Sequence, residues 1–149
     1  MTNDFPTIHA SAVLIGAKAV LIRGPSGAGK SSLAFDLLQA GQALPFVRLV
    51  GDDRVYVPVQ SGRLLVRPAP QLAGMLEIRG LGIRRLAFEP VAAVGLVVDL
   101  AAEDAARHPH PEASETVISG VRLPRLGVAG GVPALPIVLA YLRTTSGID

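Results

Sequence analysis

The chain has 149 residues, with 14 Lys and Arg against 12 Asp and Glu, a net charge of +2, and half of its residues hydrophobic. Cysteine is absent, which excludes disulfides and thiolate metal sites. The basic residues are scattered rather than gathered into a stripe, which argues against a nucleic-acid partner. The length suggests one domain, and with only 4% aromatic residues its core must come from Val, Leu, Ala and Ile.

The opening Met1-Thr2-Asn3-Asp4-Phe5-Pro6 has no basic stretch and no long apolar run, so it does not read as a signal peptide. Ser11 to Ile15 reads as a strand. Gly16-Ala17-Lys18 turns it into a second strand, Ala19 to Ile22. A hairpin here is unusual, because neighbours in a plain doubly wound nucleotide-binding sheet are parallel and need crossovers. The second strand feeds Gly24-Pro25-Ser26-Gly27-Ala28-Gly29-Lys30-Ser31, a match to G-x-x-x-x-G-K-[ST]. Ser32 to Ala40 reads as an amphipathic helix ending at Gly41. In that strand-loop-helix context the glycines let backbone N–H groups turn inward around phosphate oxygens. Lys30 supplies a point charge for the outer phosphates and Ser31 a hydroxyl for Mg²⁺. Gly24 to Ser32 is thus the expected nucleotide cradle.

Phe46 to Val50 reads as a strand ending in Gly51-Asp52-Asp53, the usual context of a Walker B carboxylate. One carboxylate there can hold Mg²⁺ while the other takes a proton from an incoming hydroxyl. The plainer reading is a solvated turn before Arg54; the need of a P-loop for an acidic partner at a strand end favours function. Val55-Tyr56-Val57 and Leu64-Leu65-Val66 read as a hairpin around Ser61-Gly62. Gln71 to Met75 reads as a short helix. In Leu76-Glu77-Ile78-Arg79-Gly80-Leu81-Gly82-Ile83, alternation puts Glu77 and Arg79 on one side and Leu76 and Ile78 on the other. A carboxylate and a guanidinium on one face suit a metal plus a phosphate, and equally an ordinary salt bridge; spacing leaves both open. The two glycines imply a tight turn.

Val91 to Asp99 reads as a buried strand and Ala101 to Ala113 as a surface loop. His108 and His110 in that loop lack a third metal ligand. Glu115 to Ile118 and Val121 to Leu123 read as a hairpin around Ser119-Gly120. The uncharged run from Leu126 to Leu142 is short for a membrane span. It reads as a buried strand, a turn and a buried helix over Ala134 to Leu142 with proline at its start. His9 lies just before the first strand, and spacing alone makes it an ordinary surface or core histidine. The sum is a mixed α/β, strand-rich fold with one nucleotide site. Asn3 is the only asparagine, so the guanine-reading Asn-Lys-x-Asp motif of GTPases is absent, as is the Leu-Ser-Gly-Gly-Gln of transporter ATPases. A small kinase remains.

Ile8-His9-Ala10-Ser11, Gly24 to Ser31, Val50-Gly51-Asp52-Asp53 and Leu76 to Ile83 occur in the order seen in HPr kinase/phosphorylase, which the chain resembles. The last run is far more specific than the P-loop. The resemblance covers nearly all of residues 1–149, as that family's C-terminal catalytic domain alone, in a short alphaproteobacterial-type form. It implies the P-loop kinase fold shared with phosphoenolpyruvate carboxykinase, which accounts for the hairpin before the P-loop. It implies ATP-dependent phosphorylation of a serine on HPr, a phosphocarrier of the phosphotransferase system, with a reverse reaction that uses inorganic phosphate. Lys30 would bind phosphates, Ser31 and Glu77 would bind Mg²⁺ with Asp52 beside the metal, and Asp53 would accept the proton. His9 matches the family's active-site histidine, and Arg107 is the nearest counterpart of its later active-site arginine. A cytoplasmic homo-oligomer, hexameric by resemblance, with no membrane or nucleic-acid partner is expected.

The chain departs from the family pattern at Pro25, at Ser32, and at Ala129-Gly130-Gly131-Val132-Pro133, which lacks an arginine tied to dephosphorylation. These departures imply a kinase with weak or no phosphorylase activity. Two other readings stay open, a small-molecule P-loop kinase and a non-catalytic nucleotide-binding regulatory module.

Overall fold

Residues 19 to 22 alternate between two faces of a sheet, and all four are buried, so the strand leading into the P-loop is covered on both sides. The computed structural model describes residues 6–42 and 44–144. The opening segment 1–5, on which the signal-peptide reading rests, lies outside the described residues. In chain order the strands are Thr7–His9 (β1), Ser11–Ile15 (β2), Lys18–Arg23 (β3), Val47–Gly51 (β4), Arg54–Tyr56 (β5), Val59–Gln60 (β6), Arg63–Pro68 (β7), Met75–Ile78 (β8), Gly82–Arg85 (β9), Ala92–Leu100 (β10), Glu115–Ile118 (β11) and Val121–Val128 (β12). Helix α1 is Lys30–Gln39 and α2 is Ala134–Arg143.

Ten strands form one sheet in the order β1-β5-β7-β10-β3-β2-β4, with β12 against β10, β11 against β12 and β6 against β7; β8 and β9 form a separate hairpin. The expected hairpin before the P-loop is present: β2 and β3 are antiparallel, with Val13 opposite Val20. The longest strand, β10, runs parallel to β3 on one side. On the other side it pairs first with β7 and then, at its C-terminal end, with β12. Val13, Val20, Ile22, Leu96 and Val98 face Leu33, Ala34 and Leu37 of α1, Leu76 of β8 and Val138 of α2. Ala12, Ala19, Leu21, Val94 and Val97 face the opposite way, onto Val55, Leu64 and Val66. Burying a leucine such as Leu37 is worth about 1.5–3 kcal/mol.

Some sequence expectations shift. The helix expected over Gln71 to Met75 is a single 3-10 turn, Pro70–Leu72, and Met75 already opens β8. The chain turns there because Leu76 is fully buried beside α1, which a continued helix would prevent. The strand expected over Val55 to Val57 breaks at Pro58, which has no N–H for a ladder, and resumes as β6. Strand β12 runs five residues past Leu123, where its second half gains β10 as a parallel partner. The C-terminal helix is not buried: only Val138 is, while Ile137 and Tyr141 on the next face are exposed. No helix among the described residues is long and apolar enough to cross a membrane.

Candidate active site

The P-loop follows β3 directly. Gly24 has no room for a side chain: an added Cβ would lie 3.1 Å from Leu100 Cβ and 3.3 Å from Ala28 Cβ. Close packing on the end of β10 therefore requires glycine. Helix α1 begins after Gly29, which is left-handed (φ 99°), with no side-chain cap and no acidic residue in its first turn. Its free N–H groups and positive dipole end face the loop, an arrangement suited to an anion. Lys30 curls back, its Nζ donating to the carbonyls of Gly24 (2.9 Å) and Pro25 (3.1 Å), so its ammonium sits over the loop.

Pairing of β2 with β4 brings Ala12 opposite Gly51, with a register shift just after it, and this delivers Ser11 to Asp52. Asp52 is buried at 4% exposure, and three donors converge on it. Ser11 Oγ donates to Oδ1 at 2.5 Å, Ser31 Oγ reaches Oδ1 and Oδ2 at 2.8 and 2.9 Å, and the Glu77 N–H approaches Oδ2 at 3.4 Å. Asp53, the next residue, turns the other way. Its backbone is left-handed (φ 69°), a conformation that Asp tolerates better than most residues. Its side chain is 68% exposed. Antiparallel pairing of β1 with β5 sets His9 opposite Arg54, which leaves His9 Nδ1 3.9 Å from Asp53 Oδ1. An exposed pair at that distance adds little stability; its interest is positional.

The β8–β9 hairpin forms the far wall. A cleft of about 910 Å³ opens between it and the P-loop, lined among others by His9, Lys30, Ser31, Asp53, Glu77 and Arg79. The structure thus brings together the sequence candidates from four separate segments, with Asp52 beneath them. Arg79 occupies the turn after β8 rather than the strand, and no Glu77–Arg79 salt bridge forms among the described residues. Arg107 is not brought here. It sits on the exposed loop after β10 and is not among the residues lining the cleft, because Arg125 holds that loop against β12 through Asp104.

Ser31 and Asp52 offer an all-oxygen donor set, which fits a hard cation such as Mg²⁺. Among the described residues no group of three His, Cys, Asp or Glu forms a self-sufficient metal site.

Two features escaped the sequence reading. The sequence assigns Ser11 no role, since nothing local shows that its hydroxyl meets a carboxylate 41 residues away. Behind the P-loop, Asp99 accepts from Arg23 Nε at 2.7 Å and from Arg125 Nε at 2.6 Å, and Arg125 also reaches Asp104 at 2.9 Å. Burial pushes the Asp99 carboxyl up, but hydrogen bonds and charge from Arg23 and Arg125 outweigh it and hold it below its usual value. Burial likewise lowers Arg125, yet Asp104 and Asp99 hold its guanidinium above its ordinary value. Only the pairing of β10 with β3 and β12 assembles this cluster.

Strand, glycine-rich loop with Gly-Lys-Ser, and helix, with an acidic strand end beside them, define a P-loop protein of mixed α/β architecture. The model of the HPr Serine kinase C-terminal domain family matches residues 3–108, and the chain belongs to that family. An HPr kinase/phosphorylase of Limosilactobacillus reuteri is 44% identical over 78 residues, covering 52% of this chain and 23% of that protein. One from Lacticaseibacillus casei (strain BL23) is 46% identical over 78 residues, again 52% of this chain and 23% of the relative. The match thus spans less than a quarter of the length of these relatives. The solved structure of the Hpr(Ser) kinase/phosphatase from Coxiella burnetii superposes with a TM-score of 0.75 at 24% identity, over 93% of this chain and 94% of that one, which establishes the shared fold.

Proposed function

We propose that this chain is an ATP-dependent protein-serine kinase whose acceptor is a serine of an HPr-type phosphocarrier. One observation supports it above the rest: His9, Lys30, Ser31, Asp53 and Glu77 line a single cleft in a chain of the HPr kinase family. In this reading Mg²⁺-ATP supplies the phosphoryl group and the charge that neutralises it. Gly24, Pro25, Ser26, Gly27, Ala28, Gly29 and Ser32 cradle the phosphates, and Lys30 adds its ammonium. Ser31 and Asp52 hold the metal, with Glu77 as a further oxygen donor.

The two aspartates divide the work by environment. Asp52 is buried and already accepts two hydroxyls, which suits a fixed metal ligand. Asp53 is exposed, which suits a base that must meet a hydroxyl presented by another protein. Asp53 takes the serine proton as the serine oxygen attacks the γ-phosphorus and the bond to the β-phosphate oxygen breaks, with ADP leaving; His9 orients the Asp53 carboxylate. Phosphoryl transfer needs little else, being mostly positioning and charge neutralisation. The same proposal carries a cytoplasmic homo-oligomer without membrane or nucleic-acid partners. Reverse transfer to inorganic phosphate is weak, because Ala129 to Pro133 lacks the arginine that the family resemblance ties to it; robust phosphate-dependent release of pyrophosphate from serine-phosphorylated HPr would overturn that part.

The test is incubation with ATP, Mg²⁺ and the cognate HPr, read by mass. One phosphoryl group on a serine is expected, lost in Asp53→Asn while ATP binding persists. Transfer to small hydroxyl compounds but not to HPr replaces this reading with a small-molecule kinase. Cellular function that survives Asp53→Ala but not Lys30→Ala replaces it with a non-catalytic module.

A further inference from the structure

We infer that a second cleft, on the opposite flank of the P-loop, takes the nucleoside of the phosphoryl donor, with the base against the Ala129-Gly130-Gly131-Val132 segment. This rests on the kinase reading above. The cleft holds about 460 Å³, within the range of small-molecule sites. Pro25, Ser26, Gly27, Gly29 and Ser32 line both clefts, so the loop is a shared ridge between them.

The contents of the two sides differ. His9, Lys30, Ser31, Asp53 and Glu77 line the larger cleft and none of them lines the smaller. The transferred phosphoryl therefore belongs on the larger side. The rest of the donor leaves across Gly27 to Ser32 and emerges at the smaller cleft. There the walls are apolar: Leu33 from α1, Leu100 at the end of β10, Val128 at the end of β12 and Leu135 of α2. Such walls suit the faces of a flat heterocycle, which gains from leaving water. Ser32 and Asp36, one helical turn apart on α1, supply polar groups at the same cleft. A carboxylate there is an acceptor for ribose hydroxyls.

The cleft is open because its outer wall is made of small residues. Gly130 is not left-handed, and a Cβ added there would meet nothing nearer than Ala101 Cβ at 3.9 Å. Ala101 is itself a lining residue, so a larger side chain at 130 enters the cleft without backbone strain.

Calorimetric titration of the full chain with Mg²⁺-ATP and with Mg²⁺ inorganic triphosphate tests this. Gly130→Leu is expected to weaken ATP by at least about tenfold and to leave triphosphate within about twofold. Ala129→Phe, from the adjacent position, gives the same split if Gly130→Leu does not fold. Equal weakening of both ligands, or of neither, in a variant that melts like wild type overturns the assignment. Wild type that binds ATP no more tightly than triphosphate also overturns it, and leaves the kinase reading standing. Wild type that binds neither ligand overturns both.

Discussion

Ser11 Oγ lies 2.5 Å from Asp52 Oδ1, and among the described residues these two are the buried polar side chains. The second hydroxyl on Asp52 comes from Ser31, which a metal would claim. Ser11 then remains to hold Oδ1 and fix the direction of the other oxygen. Removing a hydrogen bond to a charged group costs about 1.5–3 kcal/mol. Ser11→Ala is expected to lower stability by that order and to raise the Mg²⁺ concentration for half-maximal transfer several-fold. A urea melt and a Mg²⁺ titration of activity check both; an unchanged titration in a destabilised protein reduces Ser11 to packing.

Asp53 sits at φ 69°, where asparagine and glycine are at ease and alanine is strained. Asp53→Asn and Asp53→Gly should melt at or above the wild-type temperature, while Asp53→Ala loses about 1 kcal/mol. All three should lose about 10²–10⁴-fold in transfer rate, the usual contribution of a general base. Thermal melts beside single-turnover rates separate the two effects. Full activity in Asp53→Asn excludes the base assignment.

Arg79 lines the P-loop cleft and Arg107 does not. Arg107→Ala should therefore leave the transfer rate within about twofold, as exposed substitutions do. Arg79→Ala should lower kcat/KM by about tenfold or more if it contacts phosphate or acceptor. Steady-state kinetics on HPr for both variants settles which arginine serves the site.

Asp99 predicts an acid sensitivity. Its folded pKa lies below its unfolded one, so its contribution is fully present above the unfolded value, near 3.8. It is lost as pH falls from there through the lower folded value. Asp99→Asn should lower stability at neutral pH and flatten the decline below about pH 4. Denaturant melts at pH 7 and pH 3 measure the difference between the two proteins; equal slopes with pH would show that Arg23 and Arg125 gain nothing from its charge.

Much of this architecture is legible in the amino-acid sequence. Ser11 to Ile15, Ala19 to Ile22 and Val91 to Asp99 are apolar runs bounded by turn residues, and each became a strand within a residue or two. The loop motif and the Asp52-Asp53 pair carried the site because their chemistry is local. What remained hidden is non-local. That His9 sits beside Asp53 depends on β1 finding β5, a pairing that residue spacing does not report. The exposed face of α2 was hidden for a different reason, since an uncharged run such as Ala134 to Leu142 reads as buried whatever covers it. Arg107 shows the converse, a residue of the right type whose loop is anchored elsewhere.

The position of β10 bears on how the protein is made. Every side chain lining the P-loop cleft lies between His9 and Gly82, yet the strand that fills the gap between β3 and β7 begins only at Ala92. A nascent chain that has just emerged to Arg85 carries every residue of the P-loop cleft and two unpaired strand edges, which are prone to wrong partners. The P-loop cleft should thus form abruptly during synthesis, once residues 92–100 have cleared the ribosome and slotted into the sheet. Until then the residues that line the P-loop cleft belong to a chain with open sheet edges, an aggregation hazard.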